Sequence, residues 1–263
     1  MKQNKKIVCI IPARLDSKRF PRKILSTLYG KPLLAWIWQA AKRVALFDEV
    51  WFAIDSPEAA AVIQSFGGSF VMTSLACQSG TDRLVELATQ GKIQADVWVN
   101  WQGDEPFINE EMIETLLQSI DCSTQHLWTL KKCIEHAHEI TSPKVAKVVC
   151  NKQGDALYFS RAPIPFFRDE VDVNALVAKR VYYKHVGLYA YTTQALHAIA
   201  SLGHSVLEDA EKLEQLRFLD YQLSLKVHET THDVFGIDTP EDLQRAEQEM
   251  RRRLHSGSET VMY

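Results

Sequence analysis

The chain has 263 residues, 46% of them hydrophobic, which is enough for one large domain or a main domain with a smaller lobe. Its formal net charge of −3 argues against a general affinity for nucleic acid, and no nucleic-acid-reading motif occurs in the sequence. The five cysteines are odd in number and lack CxxC spacing, so the sequence predicts neither a disulfide framework nor a zinc site.

The sequence predicts a cytoplasmic protein without membrane insertion. No apolar stretch approaches the ~20 residues that cross a bilayer. The apolar run near the N-terminus is too short for a signal peptide. The absence of paired cysteines favours a reducing compartment.

A basic loop follows the first predicted strand. Residues 8–11 form a short apolar run that Pro12 ends, which is typical of a buried strand. Arginine offers a planar fork of donors and lysine a mobile point charge, so together they suit a polyphosphate, and open α/β sheets usually bind their ligand at this end of a strand. A solvated basic loop is the alternative, and no Walker pattern occurs. The cations of the loop are Arg14, Lys18, Arg19, Arg22 and Lys23.

Helices and strands alternate in the next part of the chain. The predicted elements are a helix over residues 33–47, a strand over 49–55, a helix over 57–66 and a strand over 69–72. This alternation predicts an α/β fold with a Rossmann-like, mostly parallel sheet flanked by helices.

Residues 73–81 form a polar loop that ends where a helix is predicted to begin. A helix N-terminus offers free backbone N–H groups to a phosphate or another polar ligand. Ordinary capping by Ser79 or Thr81 explains the same residues. Both interpretations stay open at this point.

Two acidic segments, at residues 104–105 and at residue 238, are candidates for a magnesium site. Asp104 and Glu105 follow a predicted strand over residues 95–101, and Mg²⁺ favours one or two carboxylates together with phosphate oxygens. Asp104 is the better candidate ligand, and a simple turn is the alternative. Asp238 precedes a helix that Thr239 is predicted to cap, so its carboxylate is available as a second ligand.

The middle of the chain changes character. Strands are predicted over residues 127–130, 145–151 and 156–159 without clear helices between them, which favours antiparallel additions in a smaller mixed lobe. We expect a surface loop over 169–179, a strand over 185–191 and one long amphipathic helix over 208–223.

Five motifs give the chain a family resemblance. The first is the pattern P-A-R-x-x-S-x-R-x-P-x-K over residues 12–23. The others are QSGTDR at 78–83, QGDEP at 102–106, YFSRA at 158–162 and GIDTPEDL at 236–243. As an ordered set they resemble the cytidylyltransferases that activate 3-deoxy-manno-octulosonate (Kdo), with CMP-sialic acid synthetases as cousins. The resemblance spans residues 8–250.

The resemblance implies that CMP is joined from CTP to Kdo with release of pyrophosphate, for lipopolysaccharide biosynthesis, by a Mg²⁺-dependent homodimer. It implies a single nucleotidyltransferase domain over residues 1–263, in which residues 126–192 form a smaller lobe for sugar binding and dimerisation. The implied catalytic residues are Arg14, Lys23, Asp104 and Asp238, of which Asp104 and Asp238 would hold the metal. The nucleotide would contact Arg14, Arg19, Lys23, Gln78, Ser79, Gly80, Thr81 and Arg83. The sugar would contact Gln102, Arg161, His185, Tyr189, Glu208, Glu214 and Gln215.

The chain departs from the family pattern at two positions, and alternatives to its function stay open. Asp82 replaces the more usual Glu, and Arg22 stands where these proteins usually have Gly. We predict that Arg22 has right-handed backbone geometry, because a left-handed conformation costs a residue with a side chain roughly 1–2 kcal/mol. The acceptor could instead be 8-amino-Kdo or a sialic acid. A catalytically silent sugar-nucleotide binder is the alternative outside enzymes.

Overall fold

The structure is a computed structural model that describes residues 4–16, 20–122, 124, 126–169 and 172–255. The chain folds into two compact units, each built from separate segments of the sequence. Unit 1 contains Met1–Ile7, Leu87–Val99 and Glu111–Asp233. Unit 2 contains Val8–Glu86, Asn100–Glu110 and Val234–Tyr263.

The strands and helices of the described residues follow in chain order. The strands are β1 Ile7–Ala13, β2 Thr27–Leu28, β3 Lys31–Pro32, β4 Glu49–Ile54, β5 Phe70–Met72, β6 Val97–Asn100, β7 Leu127–Cys133, β8 Lys147–Cys150, β9 Ala156–Ser160, β10 Tyr183–Thr192 and β11 Lys226–Glu229. The α-helices are α1 Leu33–Arg43, α2 Pro57–Ser65, α3 Gly80–Thr89, α4 Glu110–Leu117, α5 Ala137–Thr141, α6 Val173–Ala178, α7 Thr193–Ala200, α8 Val206–Glu211, α9 Gln215–Asp220 and α10 Pro240–His255. A 3-10 turn covers Lys23–Leu25.

Unit 2 is built around parallel strands. β1 pairs with β4, and β4 pairs with β5, both in parallel, while α1, α2 and α3 alternate with these strands along the chain. Every residue of β1 is buried, as its apolar run predicts, and the strand continues through Pro12 to Ala13, past the predicted end. Unit 1 has a mixed arrangement in which β7 pairs antiparallel with β10 and parallel with β11, and β8 pairs antiparallel with β9. The predicted α/β fold class is confirmed. The predicted lobe over residues 126–192 stays a prediction.

Local signals fix the starts of two helices in unit 2. Ser56 Oγ accepts a hydrogen bond from Ala59 N at 3.1 Å, and Pro57 occupies the first turn of α2. Thr239 Oγ1 accepts from Asp242 N at 3.2 Å at the start of α10, and the Asp242 carboxylate accepts from Thr239 N in return. The cap at Thr239 agrees with the sequence prediction, and α2 begins at Pro57, where the sequence predicted a helix to begin. None of the described helices is long and apolar enough to cross a membrane.

Two predicted elements of unit 1 are wrong. The long helix expected over residues 208–223 is two short helices, α8 and α9, because Lys212 between them adopts a left-handed backbone with φ 52°. The surface loop expected over 169–179 contains the helix α6, which Asp172 caps through its carboxylate and Asn174 N. Leu176 of α6 packs into a buried cluster with Ile134 and Ile140, and this burial supports a helix that has little periodicity of its own.

Candidate active site

In unit 2, the start of the basic loop and the QGDEP segment run side by side. Trp101 N donates to Ile10 O at 3.0 Å, and Gly103 N donates to Pro12 O at 3.2 Å. A Cβ atom on residue 103 would come within 2.5 Å of Pro12 O, so only glycine permits this close approach. The backbone contact therefore places Asp104 beside the loop that carries Arg14.

A cavity of about 1090 Å³ lies at this end of the unit 2 strands, as expected for an open α/β sheet. Most of the predicted nucleotide-contacting residues are among those that line it. The lining residues are Pro12, Arg14, Asp16, Pro21, Lys23, Ile24, Gln78, Ser79, Gly80, Arg83, Gln102, Gly103, Asp104, Glu105, Gly236 and Asp238. Thr81 is not among them, because it is fully buried within α3. Arg19 lies outside the described residues.

Lys23 bridges two acids of the cavity wall. Its Nζ donates to Asp104 Oδ2 at 2.5 Å and to Asp238 Oδ1 at 3.0 Å. Burial lowers the pKa of Lys23, but the charges and hydrogen bonds of the two carboxylates outweigh burial, so the pKa is raised. The lysine is therefore a fixed cation between two carboxylates that come from segments 134 residues apart.

Burial changes the protonation of the Glu105 carboxyl group. Burial raises the pKa of Glu105 to about 8, and the negative charges of Asp104 and Asp238 add to this effect while Lys23 opposes it. Its Oε2 atom is buried and has no hydrogen-bond partner within the described part of the chain. The Glu105 carboxyl group is thus mainly protonated at neutral pH, and Asp104 and Asp238 supply the negative charge of the site.

The segment at the start of α3 has a capping role and also faces the cavity. Ser79 Oγ accepts from Asp82 N at 3.1 Å, and Asp82 Oδ2 accepts from the backbone N–H groups of Gln78 and Ser79, both at 3.0 Å. Arg14 Nη1 donates to Gln78 O at 3.5 Å, which ties this segment to the basic loop. The two interpretations of the segment are therefore compatible.

Gly80 leaves room for the side chain of Gln102. A Cβ atom on residue 80 would stand 3.2 Å from both the Nε2 and the Oε1 atom of Gln102. Gln102 Nε2 donates to the Oδ1 atom of the buried Asn100 at 3.2 Å. The amide of Gln102 is thereby held at the cavity wall.

Arg83 lies in the cavity wall, and a carboxylate behind that wall holds its guanidinium group. The sequence did not identify this carboxylate. Its Nη2 donates to Asp55 Oδ2 at 2.7 Å, and its Nη1 donates to Thr73 Oγ1. The side chains of Arg83 and Asp55 are only 3% and 7% exposed. The sequence predicted Asp55 only as the last residue of a strand over residues 49–55, and β4 ends one residue earlier.

In unit 1, three of the predicted sugar-contacting residues lie together. Tyr189 Oη donates to Gln215 Oε1 at 3.1 Å, and the rings of His185 and Tyr189 are 5.3 Å apart. His185 Nε2 lies 2.9 Å from Thr129 Oγ1. Burial lowers the pKa of His185 to about 3, so its imidazole is neutral at physiological pH and is a weak base.

The other three sugar-contacting predictions in unit 1 fall near α8 and α9. Arg161 donates from Nε to Glu211 O at 2.7 Å and from Nη2 to Lys212 O at 3.3 Å, so its guanidinium holds the carbonyl groups that end α8. Glu208 Oε2 is 3.5 Å from Arg217 Nε. Glu214 is at the N-cap position of α9.

The chain is similar to known cytidylyltransferases over most of its length. A family model described as Cytidylyltransferase matches residues 8–231. A 3-deoxy-manno-octulosonate cytidylyltransferase of Geobacter metallireducens is 43% identical over 252 residues, which cover 94% of this chain and 98% of the relative. This chain belongs to the 3-deoxy-manno-octulosonate cytidylyltransferase family. A second relative with that name, from Thermodesulfovibrio yellowstonii, is 42% identical over 91% of this chain and 96% of its own length.

Solved structures agree with this family assignment. A CMP:2-keto-3-deoxy-manno-octonic acid synthetase complexed with CTP has a TM-score of 0.86 and 40% identity, and the match covers 94% of this chain and 99% of that one. A glucose-1-phosphate thymidylyltransferase described as putative, from Bacillus anthracis, has a TM-score of 0.63 at 16% identity, over 93% of this chain and 95% of its own. The second likeness concerns the fold alone.

Arg22 contradicts the sequence prediction for this family's basic loop. Its φ is +60°, in the left-handed region, whereas a right-handed conformation was predicted. Arg22 immediately precedes the 3-10 turn that begins at Lys23, and its guanidinium forms an ion pair with Glu58 of α2. The chain therefore keeps a backbone turn that glycine would adopt without strain, although it has an arginine there.

The acidic pair of this family member has the chemistry of a magnesium site. Asp104 and Asp238 converge on one ammonium group, so their carboxylates are close enough to share a cation. The described residues include no group of three or more His, Cys, Asp or Glu side chains that would hold a metal ion without other ligands. Mg²⁺ commonly uses one or two carboxylates plus substrate phosphates, so the pair fits such an ion.

Proposed function

We propose that the protein transfers CMP from CTP to Kdo and releases pyrophosphate. The observation that carries the proposal is one cavity lined by two cations of the basic loop, Arg14 and Lys23, in which Lys23 lies between Asp104 and Asp238. Membership of the 3-deoxy-manno-octulosonate cytidylyltransferase family supports CTP and Kdo as the two substrates. Lipopolysaccharide biosynthesis is the process that uses such a product.

The predicted site residues have three roles in this proposal. Arg14, Arg19 and Lys23 neutralise the triphosphate, because arginine and lysine are the side chains best suited to phosphate oxygens. Gln78, Ser79, Gly80 and Arg83 contact the base and ribose. The Kdo contacts are Gln102, Arg161, His185, Tyr189, Glu208, Glu214 and Gln215.

Mg²⁺ is the proposed cofactor, with Asp104 and Asp238 as its protein ligands. When bound, it would supply a positive charge that offsets the charge developing on the α-phosphate and lowers the pKa of a hydroxyl group bound to it. Lys23, which the two carboxylates keep protonated, contributes further positive charge at the same place. The ammonium group has to leave one carboxylate, at least in part, for that carboxylate to bind the ion.

The proposed reaction is attack of the anomeric hydroxyl of Kdo on the α-phosphorus of CTP. The P–O bond to the β-phosphate breaks, pyrophosphate leaves, and the proton of the attacking hydroxyl group passes to water. His185 is a poor general base because its pKa is lowered to about 3 by burial. The protein therefore contributes mainly by positioning the two substrates and by neutralising charge.

A competition assay tests both the reaction and the acceptor. The protein is incubated with CTP, Mg²⁺ and equal amounts of Kdo, 8-amino-Kdo and sialic acid, and the CMP-linked products are measured by mass spectrometry. At equal acceptor concentrations, the ratio of the products reports the ratio of the kcat/KM values. The proposal predicts that CMP-Kdo is the main product. A different dominant product would keep the reaction and change the acceptor. Pyrophosphate release without any CMP-sugar, or CTP binding without release, would reject the proposal, and the second result is the one expected for a silent binder.

The proposal extends to the assembly and the location of the protein. We expect a homodimer in which residues 126–192 contribute to the interface, and we expect the protein in the cytoplasm, where CTP is available. Sedimentation equilibrium should give about twice the 30.0 kDa chain mass. A monomer at concentrations where the protein is fully active would contradict the homodimer.

A further inference from the structure

Asp55 connects two parts of the cavity wall without lining the cavity. It follows the last residue of β4, and its side chain is 7% exposed. Its Oδ1 atom accepts from Leu15 N at 3.0 Å, and its Oδ2 atom accepts from Arg83 Nη2 at 2.7 Å. One carboxylate thus joins the start of the basic loop to the first turns of α3.

The two donors to Asp55 belong to residues at the cavity lining: Arg83 lines the cavity, and Leu15 follows Arg14, which also lines it. Leu15 directly follows Arg14, so the hydrogen bond to Leu15 N fixes the backbone from which the Arg14 side chain extends. Arg83 itself lines the cavity, and both of its terminal nitrogens have partners behind the wall, Asp55 and Thr73. Thr73 Oγ1 in turn donates to Ile54 O at 3.0 Å, so β4 anchors the arginine through both partners.

The buried location makes the carboxylate necessary. A guanidinium group that is almost removed from water is strongly destabilised when its anionic partner is lost. A neutral amide of the same shape is a poor replacement here. If its oxygen faces Leu15 N, its NH₂ group faces the Arg83 donor, and if it rotates, the NH₂ group faces Leu15 N. Only a carboxylate accepts on both sides.

We propose that Asp55 is a positioning residue of the nucleotide site, which holds Arg83 and the start of the basic loop in the arrangement that binds CTP. The inference rests on the proposed function, since it takes CTP as the ligand of this cavity. Asp55 acts through Arg83 and Leu15 and has no contact with the nucleotide in this account.

The test compares Asp55→Asn with a control variant that is destabilised elsewhere. The control is Thr193→Val, because Thr193 Oγ1 accepts from Nε1 of the buried Trp98 at 2.9 Å within unit 1. Loss of that hydrogen bond should lower the Tm by roughly 2–4 °C. The Kd for CTP in the presence of Mg²⁺ is measured by calorimetry for both variants, together with thermal unfolding.

Asp55→Asn should weaken CTP binding by about tenfold or more, as expected for loss of one hydrogen bond to a charged group. Thr193→Val should bind CTP as the wild type does. Equal CTP affinity in Asp55→Asn and wild type would overturn the inference. An equal loss of affinity in both variants would also overturn it, because that result would follow from general destabilisation.

A second variant covers the case in which Asp55→Asn does not fold. Thr73→Val removes the neutral partner of Arg83 and keeps both contacts of Asp55, so it should weaken CTP binding by a smaller factor, about threefold. Unchanged affinity in Thr73→Val would then overturn the inference. Wild-type activity with CTP distinguishes failure of the proposed function from failure of the inference about Asp55. Failure of the wild type to bind CTP rejects the proposed function and the inference with it, whereas normal wild-type turnover with normal CTP affinity in the Asp55 variant rejects the inference alone.

Discussion

The left-handed conformation of Arg22 gives a stability prediction that depends on backbone geometry. Arg22 has φ +60°, and its side chain reaches Glu58. We consider two substitutions, Arg22→Gly and Arg22→Ala. Both remove the ion pair, but only glycine adopts this conformation without a steric penalty. The difference between the two variants therefore isolates the backbone strain.

Two contributions determine the difference in the free energy of unfolding between Arg22→Gly and Arg22→Ala, and the ion pair adds nothing to it. A left-handed backbone costs a residue with a Cβ atom roughly 1–2 kcal/mol, which glycine avoids. The greater freedom of glycine in the unfolded chain offsets about 0.5–1 kcal/mol of that gain. The ion pair, whose side chains are 62% and 51% exposed, contributes only about 0.2–1 kcal/mol and is absent from both variants. Arg22→Gly should thus be more stable than Arg22→Ala by about 0.5–1 kcal/mol.

Thermal unfolding followed by circular dichroism measures the difference. For a chain of this size the Tm of Arg22→Gly should exceed that of Arg22→Ala by about 1–4 °C. Glu58→Gln is the control, because it removes the charge of the pair and leaves the backbone at residue 22 unchanged. An Arg22→Ala variant as stable as Arg22→Gly, or more stable, would show that the conformation is not strained and would refute the reasoning.

Three further predictions concern individual side chains. Lys23→Met should reduce pyrophosphate release by at least about 100-fold, because the cation beside the reacting phosphates is lost; a folded variant with normal turnover would contradict this. His185→Asn should reduce the dependence of the free energy of unfolding on pH. In the unfolded wild type the imidazole gains a proton below about pH 6.5, whereas burial in the folded state excludes that proton down to about pH 3. Acid therefore destabilises the wild type, by about 2 kcal/mol at pH 5. Urea unfolding at pH 7 and pH 5 measures the effect, and an unchanged difference would disprove it. Burial and the hydrogen bond to Glu86 raise the pKa of Cys77 to about 11. Iodoacetamide at pH 8 should therefore modify the exposed Cys122 before Cys77. Peptide mapping measures the order of modification, and the reverse order would be inconsistent with the raised pKa.

The parts of the fold that the sequence predicted depend on local signals. The β1 strand is a continuous apolar run, and the starts of α2 and α10 carry a hydroxyl cap followed by proline. The cavity residues of unit 2 were predictable for a related reason. Parallel strands bring their carboxyl ends to one edge of a sheet, so polar residues that follow each strand meet there.

The features that sequence reasoning missed depend on distant contacts or on single backbone angles. Asp55 was predicted only as the end of a strand, and its partners are 40 and 28 residues away along the chain. Lys212 turns left-handed in the middle of a segment whose pattern continues across the break, and Arg22 does so where its residue type argues against it. The helix α6 depends on the burial of Leu176 in a cluster whose other members lie elsewhere in the chain.

The most direct test of the proposed function is pyrophosphate release from CTP with Kdo and Mg²⁺, in the wild type and in Asp104→Ala. The account predicts release by the wild type only when Kdo is present. It predicts that the folded Asp104→Ala variant loses the activity, because one of the two carboxylates that would hold the metal is gone. Release by the variant at the wild-type rate, or no release by a wild-type protein that binds CTP, would contradict the account.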